Sequence, residues 1–211
     1  MDPERPRRFV VGVEGEGEVE AVPNLLHRLV RHLELPLVLT GVQRWPAIHT
    51  EEGLRVAVER ARRAGDCDAF LVLQDDDDGC PRVDGPRIAA WLRTHRLPFP
   101  AANVLLCPEY EVLFLPCLPG MAGKGLGKRP GLRPEARWSG GWESKRGIKE
   151  WLGRHFAGGR RYKPTLDQLA LTQMIDLPTL LASDVACVGT LERALRFLAR
   201  AAAGDVYPTS G

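Results

Sequence analysis

Ten carboxylates fall in three short stretches of this chain: VEGEGEVE (13–20), QDDDD (74–78) and PEYE (108–111). Two carboxylates about 4 Å apart repel by roughly 4 kcal/mol at an effective dielectric near 20, so acids gathered this densely call for water, a proton or a cation between them. Carboxylate oxygens are hard donors, and the hard divalent cations Mg2+ or Mn2+ are their natural counter-charge. Mg2+ in particular binds through a few carboxylates and keeps coordination positions for the oxygens of a phosphate. Two such ions about 4 Å apart can activate an attacking oxygen and stabilise a leaving one, which is what phosphodiester cleavage requires. An acidic run at a strand end can also be a solvated turn, Asp-Gly being a favoured turn pair. Three runs at corresponding places weigh against that reading for all of them.

Spacing excludes several other chemistries. GEGE (15–18) has the start of a dinucleotide fingerprint, but Glu20 stands at the third glycine position and acids would repel a pyrophosphate. No phosphate loop is present, because Gly127-Lys128 is followed by Arg129 and lacks the earlier glycine. His27, His32, His49, His95 and His155 show no metal-ligand spacing and read as surface or packing residues. Cys80 lies beside the acids, yet a soft thiolate is a poor Mg2+ ligand. The five cysteines are odd in number and scattered without a CxxC pair, so neither a disulfide framework nor structural zinc is indicated, and a reducing cytoplasm fits. The apolar run near the amino terminus is too short for a signal peptide, and no run approaches the length of a membrane span.

The acids need elements to position them. RFVVGVE (8–14), LPLVLTGVQ (35–43), AFLVLQD (69–75) and AANVLLCPEYE (101–111) read as strands. Between them VPNLLHRLVRHL (22–33), TEEGLRVAVERARRAG (50–65) and GPRIAAWLRTHRL (85–97) have helical spacing. This β-α-β-α-β-α-β alternation predicts an α/β fold, a Rossmann-like parallel sheet flanked by helices, in which ligand chemistry gathers at the carboxyl ends of the strands. The acids lie at the ends of the first, third and fourth strands. Strand alternation points Tyr110 inward, and Asp75 and Asp77 are expected to face solvent at the sheet edge. The chain divides into an α/β core (7–115), a basic Gly/Pro-rich insertion or loop (116–145) and a helical carboxyl-terminal part packed on the core (146–206), before a frayed PTSG tail.

With those elements in place, a glutamate in the turn after the first strand (Glu14) and an Asp-x-Asp after the third (Asp75, Asp77) resemble the Toprim domain of topoisomerases, bacterial primases and overcoming-lysogenization-defect nucleases. Together with PEYEVLFLP, RGIKEWL and YKPTLDQLALTQMIDL, they make most of the chain similar to a family of small Toprim-like proteins often encoded beside AAA-type ATPases in bacterial defence loci. The resemblance implies a Toprim-like core holding Mg2+ or Mn2+ through Glu14, Asp75 and Asp77, with Glu14 as ligand or general base. Which of Asp75 to Asp78 ligate stays open. Glu111, or Glu109 beside it, would complete a second metal site, as an additional acid does in the overcoming-lysogenization-defect nucleases. Lys149 would stabilise the charge developing on the phosphorane, unless it is simply an exposed helix lysine. The implied activity is cleavage of DNA or RNA, as the effector of an antiphage system controlled by a partner ATPase of the AAA/ABC type, with a homodimer left open. The alternative is a non-catalytic binding or assembly subunit that retains the acids. A small-ester phosphohydrolase of the haloacid-dehalogenase type fits less well, because its Asp-x-Asp follows the first strand.

The formal charge of +2 conceals an uneven distribution. Lys124, Lys128, Arg129 and Arg133, with Arg137, Trp138 and Trp142, form a basic aromatic segment that would track a phosphate backbone with steep salt dependence. The competing reading is a flexible, solvated loop whose glycines and prolines prevent packing.

Overall fold

The computed structural model describes residues 5–139, 141–142 and 146–209, so the boundary read at residue 145 and the last two residues of the tail lie outside the described residues. The alternation seen in the sequence is realised as β1 (Arg7–Val13), α1 (Glu18–His32), β2 (Leu37–Arg44), α2 (Glu51–Arg63), β3 (Ala69–Asp75), α3 (Pro81–Thr94) and β4 (Ala101–Leu106). A short β5 (Val206–Tyr207) completes an all-parallel sheet of order β2-β1-β3-β4-β5.

Successive strand residues face opposite sides, and both sides are apolar. Phe9, Val11, Leu71, Leu73, Ala102 and Val104 pack beneath α1 and the carboxyl-terminal helices, while Val10, Phe70, Val72, Ala101 and Leu105 pack beneath α2 and α3. The helices present matching stripes, Ala21, Val22, Leu25, Leu26 and Leu29 on α1 and Leu54, Ala57, Val58 and Ala61 on α2. Thr50 starts α2 by accepting the Gly53 N–H through its hydroxyl at 3.0 Å.

The structure departs from the sequence reading at four points. The fourth strand ends at Leu106, well short of residue 111, because Pro108 has no N–H to extend the ladder. The chain instead turns into a 3-10 helix, Tyr110–Cys117, followed by α4 (Leu118–Met121). Tyr110 is buried, but through the 3-10 helix and a 2.9 Å hydrogen bond to Thr172 Oγ1 rather than by strand alternation. The carboxyl-terminal part comprises α5 (Ile148–His155), α6 (Pro164–Gln173), α7 (Leu177–Leu181) and α8 (Ala186–Arg200), and it also returns β5 to the sheet beside β4. The basic segment is irregular yet packed: Leu126, Leu132 and Ala136 are buried, and Arg133 N–H donates to His155 O and Ala157 N–H to Gly131 O, each at 2.8 Å. No helix among the described residues is long and apolar enough to cross a membrane.

Candidate functional site

The strand order reverses between β1 and β3, and the chain leaves β1 for α1 on one face and β3 for α3 on the other. This divergence opens a crevice at the carboxyl ends of the two strands, where doubly wound sheets place their ligands. Glu14 follows the last residue of β1 and Asp75 is the last residue of β3. Both line a cleft of about 370 Å³, together with Asp77, Lys149 and Gln168.

The turn carrying Glu14 is closed by Glu18. Its carboxylate accepts the Glu14 N–H at 3.2 Å and the Gly15 N–H at 3.1 Å while almost fully buried in the first turn of α1. Burial pushes the Glu18 carboxyl above its ordinary range, and those two donors oppose the shift. Glu14 itself reaches His49, Oε1 to Nδ1, at 3.0 Å. His49 comes from the loop after β2, so a third strand end contributes to the edge.

The four aspartates separate into four environments. Asp75 is mostly buried, its side chain 15% exposed, which corrects the expectation that it faces solvent. Asp75 Oδ1 accepts the Tyr110 N–H at 2.8 Å and Oδ2 faces Lys149 Nζ at 3.3 Å. Burial, and then the charge of Glu18, hold its carboxyl well above the usual range against the pull of Lys149. Asp76 is half-buried and shifted upward by burial and by Asp84. Asp77 is exposed and opens into the cleft. Asp78 is exposed and tied to Arg146.

Lys149, at the start of α5, is the centre of the arrangement. Its ammonium stands 3.0 Å from Glu109 Oε2, 3.3 Å from Asp75 Oδ2 and 3.6 Å from Glu111 Oε2, and its backbone N–H donates to Glu109 Oε1 at 2.9 Å. Burial works against the lysine charge, but Glu111, Asp75 and Glu109 outweigh it and hold the pKa above the ordinary lysine value. Glu111 is fully buried beneath it. Glu111 Oε1 accepts from the Tyr162 hydroxyl at 2.7 Å and from Gln168 Nε2 at 3.2 Å, and burial lifts its carboxyl to about 7 despite Lys149.

The YKPTLDQ motif is the pedestal of this cluster. Tyr162 and Gln168 hold Glu111, while the buried Asp167 takes Arg129 at 2.9 Å, Arg160 at 2.8 Å and the Lys163 N–H at 2.9 Å. Gly17 lets α1 meet this motif: a Cβ there would stand 2.3 Å from Gln168 Oε1 and 2.8 Å from the Pro164 carbonyl carbon.

The structure therefore brings Glu14, Asp75, Asp77 and Lys149 to one cleft and sets Glu111 below it, turned to Lys149. Arg129 is drawn out of the basic set, since its guanidinium binds Asp167 and Leu166 O, whereas Lys124, Lys128 and Arg133 are exposed. Trp138 packs edge-on against Trp151 at 5.3 Å, and Trp142 donates its indole N–H to Asp184. Sequence reasoning missed Glu18, His49, Tyr162 and Gln168 as members of the site. The polar pair Asp167-Gln168 inside the apolar run of α6 was the local trace of the last.

The donor set fits a hard cation in type, being carboxylate oxygen at the crevice edge. Among the described residues, however, no three His, Cys, Asp or Glu side chains already converge to hold a metal ion. The physical reason is Lys149, whose ammonium fills the point where Asp75, Glu109 and Glu111 meet, while His49 draws Glu14 aside. Glu14, Asp75 and Asp77 line the cleft and fit as ligands in type, Asp75 while also facing Lys149; Glu109 and Glu111 are not part of that lining and face Lys149 from behind it. A larger cavity, about 870 Å³, lies elsewhere, between α3 and α8 over β4, and receives none of the carboxylates at the ends of β1 and β3 nor Glu109 or Glu111. Comparison with family models, with curated proteins and with solved structures finds no match to this chain.

Proposed function

We propose that the chain is a divalent-metal-dependent phosphodiesterase acting on DNA or RNA, with Mg2+ or Mn2+ held by Glu14, Asp75 and Asp77. One observation carries the reading: carboxylates from the ends of β1 and β3 line a single cleft at the crossover of the sheet, with an ammonium on its wall. When bound, a divalent ion would supply the positive charge that lets a phosphate enter an acidic cleft and that steadies the leaving oxygen. Lys149 stays protonated between its carboxylates, so it serves as a fixed positive charge for the phosphorane oxygens and not as a base. Asp75 and Glu109 hold that ammonium in place before substrate arrives. Glu14, hydrogen-bonded to His49, would act either as a ligand to the ion or, instead, as the base for an attacking water. The resemblance to Toprim-like proteins of defence loci extends the proposal to an antiphage effector governed by a partner ATPase of the AAA/ABC type.

The test is incubation of purified protein with plasmid, single-stranded DNA and tRNA, with and without Mg2+ or Mn2+, alone and with the neighbouring ATPase. Metal-dependent cleavage that falls at least about a hundredfold in Asp77→Asn supports the reading. Metal-independent cleavage, or equal cleavage by the variant, sinks it. A second reading has its own observation: Lys149 already neutralises three of the acids, as expected of a non-catalytic assembly subunit. That reading expects no cleavage under any of these conditions and unchanged ATPase binding by Asp77→Asn.

A further inference from the structure

Lys149 lines a second cavity as well as the acid cleft. This neighbour, about 530 Å³, is walled by Glu150, Gly153, Arg154, Gly159, Arg161 and Tyr162. Its character is the reverse of the cleft's, since Lys149, Arg154 and Arg161 set three positive charges against Glu150. The geometry of Glu150 reduces even that opposition. A Cβ built on Gly147 would stand 2.9 Å from Glu150 Oε2, so this carboxylate curls back over the amino end of its own helix.

The cations of this region differ in what they already hold. Arg160 stacks on Phe156 with its guanidinium carbon 3.9 Å from the ring centroid, and it binds Asp167 and Pro130 O. Gly158 and Gly159, at φ +73 and +69, turn the chain through the left-handed region just before it. The next residue, Arg161, is exposed. Arg154 and Arg161 are both exposed, and neither has a hydrogen-bond or ion-pair partner among the described residues. Two exposed guanidiniums without partners among the described residues, and an ammonium that also lines the acid cleft, make a receptor for tetrahedral oxyanions.

We propose that this cavity holds a backbone phosphate of a single-stranded nucleic acid, next to the phosphate presented to the acid cleft. The assignment rests on the phosphodiesterase reading above and names where its substrate lies. A single strand is free to turn successive phosphates into two adjoining hollows, whereas base pairing fixes the direction of the phosphates in a duplex, so single strands are the favoured occupant. The arrangement also separates roles: Arg154 and Arg161 position the strand, and Lys149 stands at the junction with the reacting group.

The test uses the full chain in EDTA, so that binding is read without cleavage, and fluorescent single-stranded DNA and RNA oligonucleotides titrated at several salt concentrations. Arg154→Gln with Arg161→Gln should weaken binding about tenfold at low salt and flatten the plot of log affinity against log salt by about 1.4, which is two single-strand phosphate contacts. Arg154→Lys with Arg161→Lys should restore the slope. A charge-matched pair at the opposite sheet edge, Arg63→Gln with Arg200→Gln, should leave the slope unchanged. An unaltered slope in the Arg154/Arg161 variant, equal or tighter binding of duplex, or a wild type that binds neither oligonucleotide overturns the proposal. Wild type that binds with the expected slope but does not cut with Mg2+ or Mn2+ keeps the cavity and loses the phosphodiesterase. Metal-dependent cutting with no effect of the arginine changes does the opposite.

Discussion

Glu111 illustrates how much a single carboxyl can depend on its neighbours. One of its oxygens takes two donors, the other faces an ammonium at 3.6 Å, and the whole group is removed from water. Burial raises its pKa to about 7, from an ordinary value near 4.5. Because the folded value lies above the unfolded one, the folded protein holds the proton more tightly, and stability falls as pH rises between the two. Its contribution is fully present below about pH 4.5 and is lost as pH climbs through about 7. Glu111→Gln keeps an acceptor for Tyr162 and Gln168 but does not titrate. In metal-free buffer, the urea midpoint of wild type should therefore fall more steeply from pH 4.5 to 7 than that of the variant. Parallel curves would show that Lys149 keeps Glu111 ionised throughout.

At the scale of elements, the crevice depends on how closely α1 and α6 approach. Gly17 has an ordinary helical φ of -65, so its glycine is required by contact and not by backbone strain. Gly17→Ala would drive a methyl group into Gln168 Oε1 and the Pro164 backbone, at 2.3 and 2.8 Å. The expected cost is about 1–3 kcal/mol, read as a lowered urea midpoint with an unchanged slope. A shift below about 0.5 kcal/mol would mean that the two helices part freely. β1, β2 and β3 are short apolar runs bounded by polar or turn residues, so they were legible as strands, and Glu14 and Asp75 came with them. β4 runs into LLCPEYEVLFLP, where apolar character continues past the last paired residue, and periodicity alone cannot place its end. β5 is two residues long and exists only because β4 offers an edge. The meeting of Lys149 with Glu109 and Glu111 is set by the docking of α5 and α6, which leaves no local pattern beyond polar residues in otherwise apolar helices.

Across the whole molecule, the nearly balanced net charge is resolved into adjoining hollows of opposite sign, the acid cleft and the Arg154/Arg161 cavity, joined by Lys149. A cation entering the cleft meets carboxylates that are partly neutralised already, so its affinity is set by the acids Lys149 does not hold. Asp77 is the cleanest probe among the proposed ligands. It is exposed, whereas Asp75 also supports the Tyr110 N–H and Lys149, so that Asp75→Ala confounds metal loss with an unpaired buried amide. Binding to the folded state alone should stabilise wild type by about 1.4 kcal/mol when free Mg2+ or Mn2+ is ten times its dissociation constant. For a chain of this length that is a rise of roughly 3–6 °C in Tm. Asp77→Asn should match wild type in EDTA, since an exposed side chain is lost, and should gain less than half as much from the metal. Ca2+ and Na+ arms at equal ionic strength separate site binding from screening of the acidic edge, which Na+ would reproduce and a site would not. If wild type shows no rise with either Mg2+ or Mn2+ up to about 10 mM, with reference to the millimolar range of weak oxygen sites, the acids are serving Lys149 alone.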